Sequence, residues 1–153
     1  MAGQRFARKQ AKERVGDVDA VVFFVGTSEF DQKLAEDSQV NRLRESAAYF
    51  QEIMKALPLT PFILCLNKMD VLEEKLKRIR FADFIQEYQG DNTVESVVLF
   101  IKEMLLKHNT VPSNVRSFKV FQTVATDTQL IKGVCSSVLQ FALEQCLRDM
   151  GFD

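Results

Sequence analysis

Asn67-Lys68-Met69-Asp70 directly follows the apolar run Phe62-Ile63-Leu64-Cys65-Leu66. A carboxylate at Asp70 can accept two parallel hydrogen bonds, one from a ring N–H and one from an adjacent exocyclic amine. Guanine presents that donor pair and adenine does not. Adenine would leave the acceptor unpaired, at a cost of roughly 1–3 kcal/mol, which is enough to select one purine over the other. Asn67 can brace the loop, and the alkyl stem of Lys68 can cover one face of a flat base. The tetrapeptide alone is not specific. The same residue types form ordinary strand-to-helix turns, with the aspartate capping the helix that opens at Val71-Leu72-Glu73-Glu74.

A second segment with similar placement is Thr123-Val124-Ala125-Thr126-Asp127, again between an apolar run and a helical pattern. A small residue there lets backbone approach a ligand, so the Ala125 N–H can donate to a purine O6. Adenine carries a donor at that position, which makes this a second discriminator. The competing reading is helix capping by Thr126 with Gln129 three residues on. Both can hold, since one uses a backbone amide and the other a side chain. Cys65, Cys135 and Cys146 are scattered among apolar residues and fit buried free thiols in a reducing compartment. The only histidine, His108, falls on a different expected element from each of them, so no Cys–His nucleophile is assembled.

The elements that position these loops show in the hydropathy pattern. Ala20–Val25, Phe62–Leu66 and Phe118–Phe121 are short apolar runs without polar alternation, as in strands buried on both faces. Phe118–Phe121 is the shortest and most edge-like. Between them lie helical stripes. One runs Leu43, Ala47, Phe50, Met54 and Leu57 from Val40 to Pro58. A second runs Val94, Val97, Val98, Ile101, Met104 and Leu105, with Asn92 as cap and Glu95 three residues later. The last runs Ile131, Val134, Cys135, Val138, Phe141, Ala142 and Cys146. Alternating strands and helices predict a parallel sheet with right-handed crossovers. In such sheets ligands bind beyond the carboxyl ends of the strands, where both loops fall.

The 153 residues suffice for one domain with a real core, 46% hydrophobic and 27% charged. Lys plus Arg number 20 against 21 Asp plus Glu, which gives no electrostatic case for nucleic acid or a charged membrane. No apolar run approaches a membrane span. Met1–Arg14 has no apolar stretch and is not expected to act as a secretory signal, and with Ala2 after Met1 it does not carry the Met-Gly pattern of N-myristoylation. A cytoplasmic location is expected.

Two guanine-reading loops on successive strands are far more specific than either alone, and further segments narrow the match. Gly3-Gln4-Arg5 with Arg8-Lys9 resembles the second switch of heterotrimeric G-protein alpha subunits. Asp17–Phe23 resembles the strand that follows it. Asp31–Asp37 and Asn41–Ser46 resemble a loop and helix of that family that Ras-type small GTPases lack. Thr123–Thr128 resembles its last nucleotide loop, and Arg148–Phe152 its tail.

The resemblance implies an α/β fold: residues 1–153 as the carboxyl-terminal part of a Ras-like P-loop GTPase domain, three parallel strands with flanking helices, the first half missing. It implies GTP and GDP as ligands, bound through Gly3, Gln4, Asn67, Lys68, Asp70 and Ala125, with Gln4 orienting the attacking water. It implies a beta–gamma partner, a G-protein-coupled receptor read by the tail from about Leu143 to Asp153, and effectors met by the switch and Val40–Leu57. Attachment to the cytoplasmic face of the plasma membrane would come from a lipidated end upstream.

The sequence also departs from the family. It has no G-x-x-x-x-G-K-[ST] loop, the source of the lysine and the Mg²⁺-binding hydroxyl that hold phosphates. The family's arginine finger and other Mg²⁺ ligand lie upstream of the matching region. Met1-Ala2 stands where an aspartate belongs, Ala7 replaces a glutamate, and Ala11 a tryptophan. Met150 stands where some members carry a modifiable cysteine. The expectation is weak nucleotide binding and no hydrolysis by this chain, with an exposed sheet edge and an incompletely covered last helix. Two functions remain open: part of a GTP-hydrolysing signal transducer, or a truncated, non-switching module that binds receptor or effector.

Overall fold

The computed structural model describes residues 18–107, 117–124 and 128–150. Three strands, β1 (Val21–Gly26), β2 (Phe62–Asn67) and β3 (Phe118–Thr123), form one parallel sheet in the order β1-β2-β3. The helices are α1 (Arg42–Ala56), α2 (Met69–Leu76), α3 (Val94–Leu106) and α4 (Thr128–Asp149). Short 3₁₀ turns lie at Thr27–Glu29 and Phe81–Asp83.

β2 is central, and Phe62, Ile63, Leu64, Cys65 and Leu66 are each 0% exposed. Burying such side chains stabilises the fold by about 1.5–3 kcal/mol each, which makes β2 the spine of the sheet. Alternation divides its residues between two layers. Phe62, Leu64 and Leu66 face a large cluster that holds Val25, Leu43, Phe50, Leu72, Ile101 and Leu105 from β1 and helices α1 to α3. Ile63 and Cys65 face a smaller one with Val134 and Phe141 of α4, flanked by Val22, Phe121 and Val138.

The register keeps the strand ends level. Gly26 pairs with Asn67, and Asn67 pairs with Thr123. All three strands therefore finish along one line, and the segments after them share one edge of the sheet.

The helices start and stop for local reasons. The Asn41 side chain accepts from the N–H groups of Leu43 and Arg44 at 2.9 and 3.2 Å, capping α1. Its amide also donates to the Phe30 carbonyl, tying that cap to the loop after β1. Val40 lies outside the helix and Leu57 closes it, with Pro58 next, so the expected Val40–Leu57 span is trimmed at both ends. The cap of α3 is Thr93, whose hydroxyl accepts from the Ser96 N–H at 3.3 Å, and not Asn92. Asn92 is used elsewhere: its amide donates to the Leu76 and Ile79 carbonyls and its carbonyl accepts from the Phe81 N–H. One polar side chain thus closes the turn after α2.

α4 differs from its expected stripe. Val134 and Phe141 are buried, but Ile131 and Cys135 are exposed. The solvent side carries large apolar residues, with Leu139 71% and Leu143 60% exposed. Phe24, on the same sheet face as Val22 and Cys65, is 52% exposed. The Cys135 thiol is therefore a correction to the buried-thiol expectation. Cys65 fits it: burial pushes that thiol up to about 11. The Cys146 side chain and His108 lie outside the described residues.

Candidate functional site

Asn67 ends β2 and points its side chain along the strand ends. Its Oδ1 accepts from the Lys68 N–H at 2.9 Å and from the Thr123 hydroxyl at 3.3 Å. Its backbone carbonyl accepts from the Thr27 hydroxyl at 2.9 Å. Asn67 therefore braces the loop, as its residue type suggested, and it does so by joining all three strand ends. Thr27 and Thr123 are buried at 0% and 1% exposure, so their bonds are shielded from competing water.

Lys68 follows with φ 65° and ψ 40°, the one described non-glycine residue in the left-handed region. That single reversal turns the chain from strand into helix within one residue, and α2 begins at Met69. The Lys68 carbonyl accepts the first helical bond from the Leu72 N–H at 3.0 Å. The helix thus opens two residues earlier than the hydropathy pattern indicates.

Asp70 sits in the first turn of α2 and is exposed. Lys68 occupies the cap position, and no side chain caps this helix. Among the described residues the Asp70 carboxylate makes no hydrogen bond or ion pair, so the helix-capping alternative for Asp70 is not the one taken. A carboxylate in the first turn gains from the helix dipole, and with no partner among the described residues it has capacity to accept hydrogen bonds from a ligand.

Two contributors were not singled out from the sequence. Thr27 locks β1 to the Asn67 carbonyl. Glu29, in the turn just past β1, places Oε1 2.7 Å from Lys68 Nζ and Oε2 3.2 Å from Arg42 Nη2. The rule that ligands gather beyond strand ends could have flagged both, since they follow Gly26 directly. On the other side of this turn, Lys75 Nζ reaches Asp31 at 2.6 Å and the Ser28 carbonyl at 2.9 Å. The Asp31–Asn41 loop is closed by a Lys33–Asn41 bridge and by the Arg42 N–H donating to the Gln32 carbonyl at 2.9 Å. Through those contacts the Asp31–Asp37 and Asn41–Ser46 blocks fasten α1 and α2 to the end of β1.

The structure thus brings Asn67, Lys68 and Asp70 together beside Thr123 and Val124. Gly3, Gln4 and Ala125 lie outside the described residues, as do Ala7, Ala11, Thr126, Asp127 and the end of the tail at Gly151–Asp153.

A parallel sheet with helices on both faces and a braced, carboxylate-bearing loop at level strand ends defines an α/β protein whose loops gather at the carboxyl ends of the strands, where ligands bind in sheets of this kind. Sequence comparison narrows this to one family. The family model described as G-protein alpha subunit matches residues 1–142. Similar proteins include the guanine nucleotide-binding protein alpha-4 subunit of Dictyostelium discoideum, 38% identical over 149 residues, 96% of this chain and 42% of that protein. The guanine nucleotide-binding protein subunit alpha of Candida albicans is 36% identical, covering 97% of this chain and 35% of its own length. The alpha-1 subunit of Saccharomyces cerevisiae is also 36% identical, with 97% and 32% covered. The chain belongs to the G-protein alpha subunit family. It spans less than half the length of these relatives.

Proposed function

We propose that this chain carries the guanine-reading part of a G-protein alpha subunit, the GTP-hydrolysing switch of G-protein-coupled receptor signalling. Asp70 accepts from the ring N–H and exocyclic amine of guanine, the Lys68 stem covers the base, Asn67 holds the loop, and the Ala125 N–H donates to O6. The observation that carries this reading is the Asp70 carboxylate, unpaired among the described residues, at the level strand ends beside a loop braced from both neighbouring strands. The residues present fit the base of GTP or GDP. They do not fit the phosphates or the accompanying Mg²⁺, because no G-x-x-x-x-G-K-[ST] segment occurs in the sequence.

Gly3 and Gln4 belong to the same proposal: Gly3 senses the γ-phosphate and Gln4 orients the attacking water once the phosphate-holding half of such a domain is supplied. The proposed partners are a beta–gamma dimer, a receptor read by the carboxyl-terminal tail, and effectors at the switch and α1. The proposed place of action is the cytoplasm and the cytoplasmic face of the plasma membrane. Among the described residues no helix is long and apolar enough to cross a membrane. The second reading, a non-switching interaction module, is favoured by one feature, the exposed Leu139, Leu143 and Phe24 side chains that a partner surface could cover.

Asp70→Asn tests the base assignment. A carboxamide offers one acceptor and one donor where the carboxylate offers two acceptors, so it complements xanthine, whose exocyclic group is a carbonyl. Competition between guanosine and xanthosine diphosphates should reverse in favour of xanthosine. An unchanged preference would remove Asp70 from base recognition.

A further inference from the structure

The Glu29 carboxylate occupies a place that the sequence makes possible only through Gly26. A Cβ at Gly26 would lie 2.8 Å from both Cδ and Oε1 of Glu29, so any larger residue there displaces the carboxylate. Folded back over the end of β1, the Glu29 side chain is only 14% exposed. It meets two cations from different elements: Lys68 Nζ from the loop after β2 and Arg42 Nη2 from the first turn of α1. Arg42 also donates from Nη1 to Gln32 Oε1 at 2.9 Å, which fixes the guanidinium and through it the carboxylate. Lys68 is the least buried member at 45% side-chain exposure, yet both ends of it are constrained: the left-handed backbone sets its Cα–Cβ direction, and Glu29 holds its tip.

We propose that Glu29 is a positioning residue for purine recognition, tethering Lys68 so that its alkyl stem is held across the strand ends before a base arrives. The inference rests on the guanine reading of Asn67–Asp70. A free lysine loses rotamer entropy when it is ordered over a ligand, and a tether moves part of that loss into folding. The same carboxylate links the base loop to α1 through Arg42, so disturbing either partner shifts the other.

The test is a double-mutant comparison on the ¹⁵N-labelled chain, titrated with GDP and with ADP and followed at the Asn67–Asp70 amides. Glu29→Gln should weaken GDP binding about 2- to 5-fold, the scale of a partly exposed ion pair. In a Lys68→Met background, which retains an apolar stem but no charge, Glu29→Gln should have no further effect. Arg42→Gln, which leaves the Lys68 pair in place, should cost less than Glu29→Gln. If Glu29→Gln does not fold, Glu29→Asp, shorter by one methylene, carries the same comparison. Equal weakening in both backgrounds, or none in either, overturns the positioning role. A parent chain that shows no GDP-specific shift overturns the guanine reading itself, and this inference with it.

Discussion

Lys68 offers a perturbation in which backbone and side chain separate. Its φ of 65° and ψ of 40° place an L-residue where Cβ crowds the following carbonyl, a cost of about 1–2 kcal/mol that glycine does not bear. Glycine in turn adds unfolded-state entropy worth about 0.4–1 kcal/mol. Lys68→Gly and Lys68→Ala both lose the Glu29 ion pair, worth up to about 1 kcal/mol at this exposure. The difference between the two variants therefore isolates the backbone, and Gly should be more stable than Ala by roughly 0.5–1 kcal/mol. In a helix interior the order is the reverse. Urea unfolding followed by far-UV circular dichroism resolves a difference of this size. Both variants should bind a base more weakly to the same degree, since both lose the stem that covers it, while the purine preference set by Asp70 remains. An alanine variant as stable as the glycine one would refute the left-handed turn and the loop geometry built on it.

The two described cysteines should behave oppositely toward a thiol reagent under native conditions. Cys135, exposed on α4, should label quickly, and Cys65, sealed in β2, only as fast as the protein unfolds; rapid labelling at Cys65 would contradict the packing of β2 against α4. With its folded pKa raised to about 11, Cys65 contributes stability that is fully present below its unfolded value of about 8.5 and is lost as pH rises through 11. Cys65→Ala should flatten the alkaline limb of a stability–pH curve, and an unchanged limb would contradict that assignment. The purified chain should not turn over GTP, since it has no phosphate-holding loop; steady phosphate release by the chain alone would refute this.

Much of the fold was legible because β2 is apolar without a break and α1 and α3 carry regular stripes. The three parallel strands follow from Phe62–Leu66 and its two neighbours, and the placement of Asn67–Asp70 at a strand end follows from its position after the run. What the pattern could not give came from long-range contacts. Glu29 sits 39 residues from Lys68 and Thr27 sits 40 from Asn67, so neither pairing leaves a local trace. Asn92 looks like a helix cap by spacing, yet Thr93 caps α3 while Asn92 closes the preceding turn. On α4, Ile131 and Cys135 fit a core stripe by period, but only one layer of the sheet meets this helix. Hydrophobic spacing shows which face is apolar and not whether anything covers it.

The central claim is that the strand-end loop reads guanine. Its most direct test is a titration of the ¹⁵N-labelled chain with GDP and, separately, with ADP to millimolar concentration. GDP should shift the amides of Asn67, Lys68, Asp70 and Val124 with weak, saturable affinity, and ADP should leave them in place. Equal responses to both nucleotides, or shifts confined to other parts of the chain, would contradict the account.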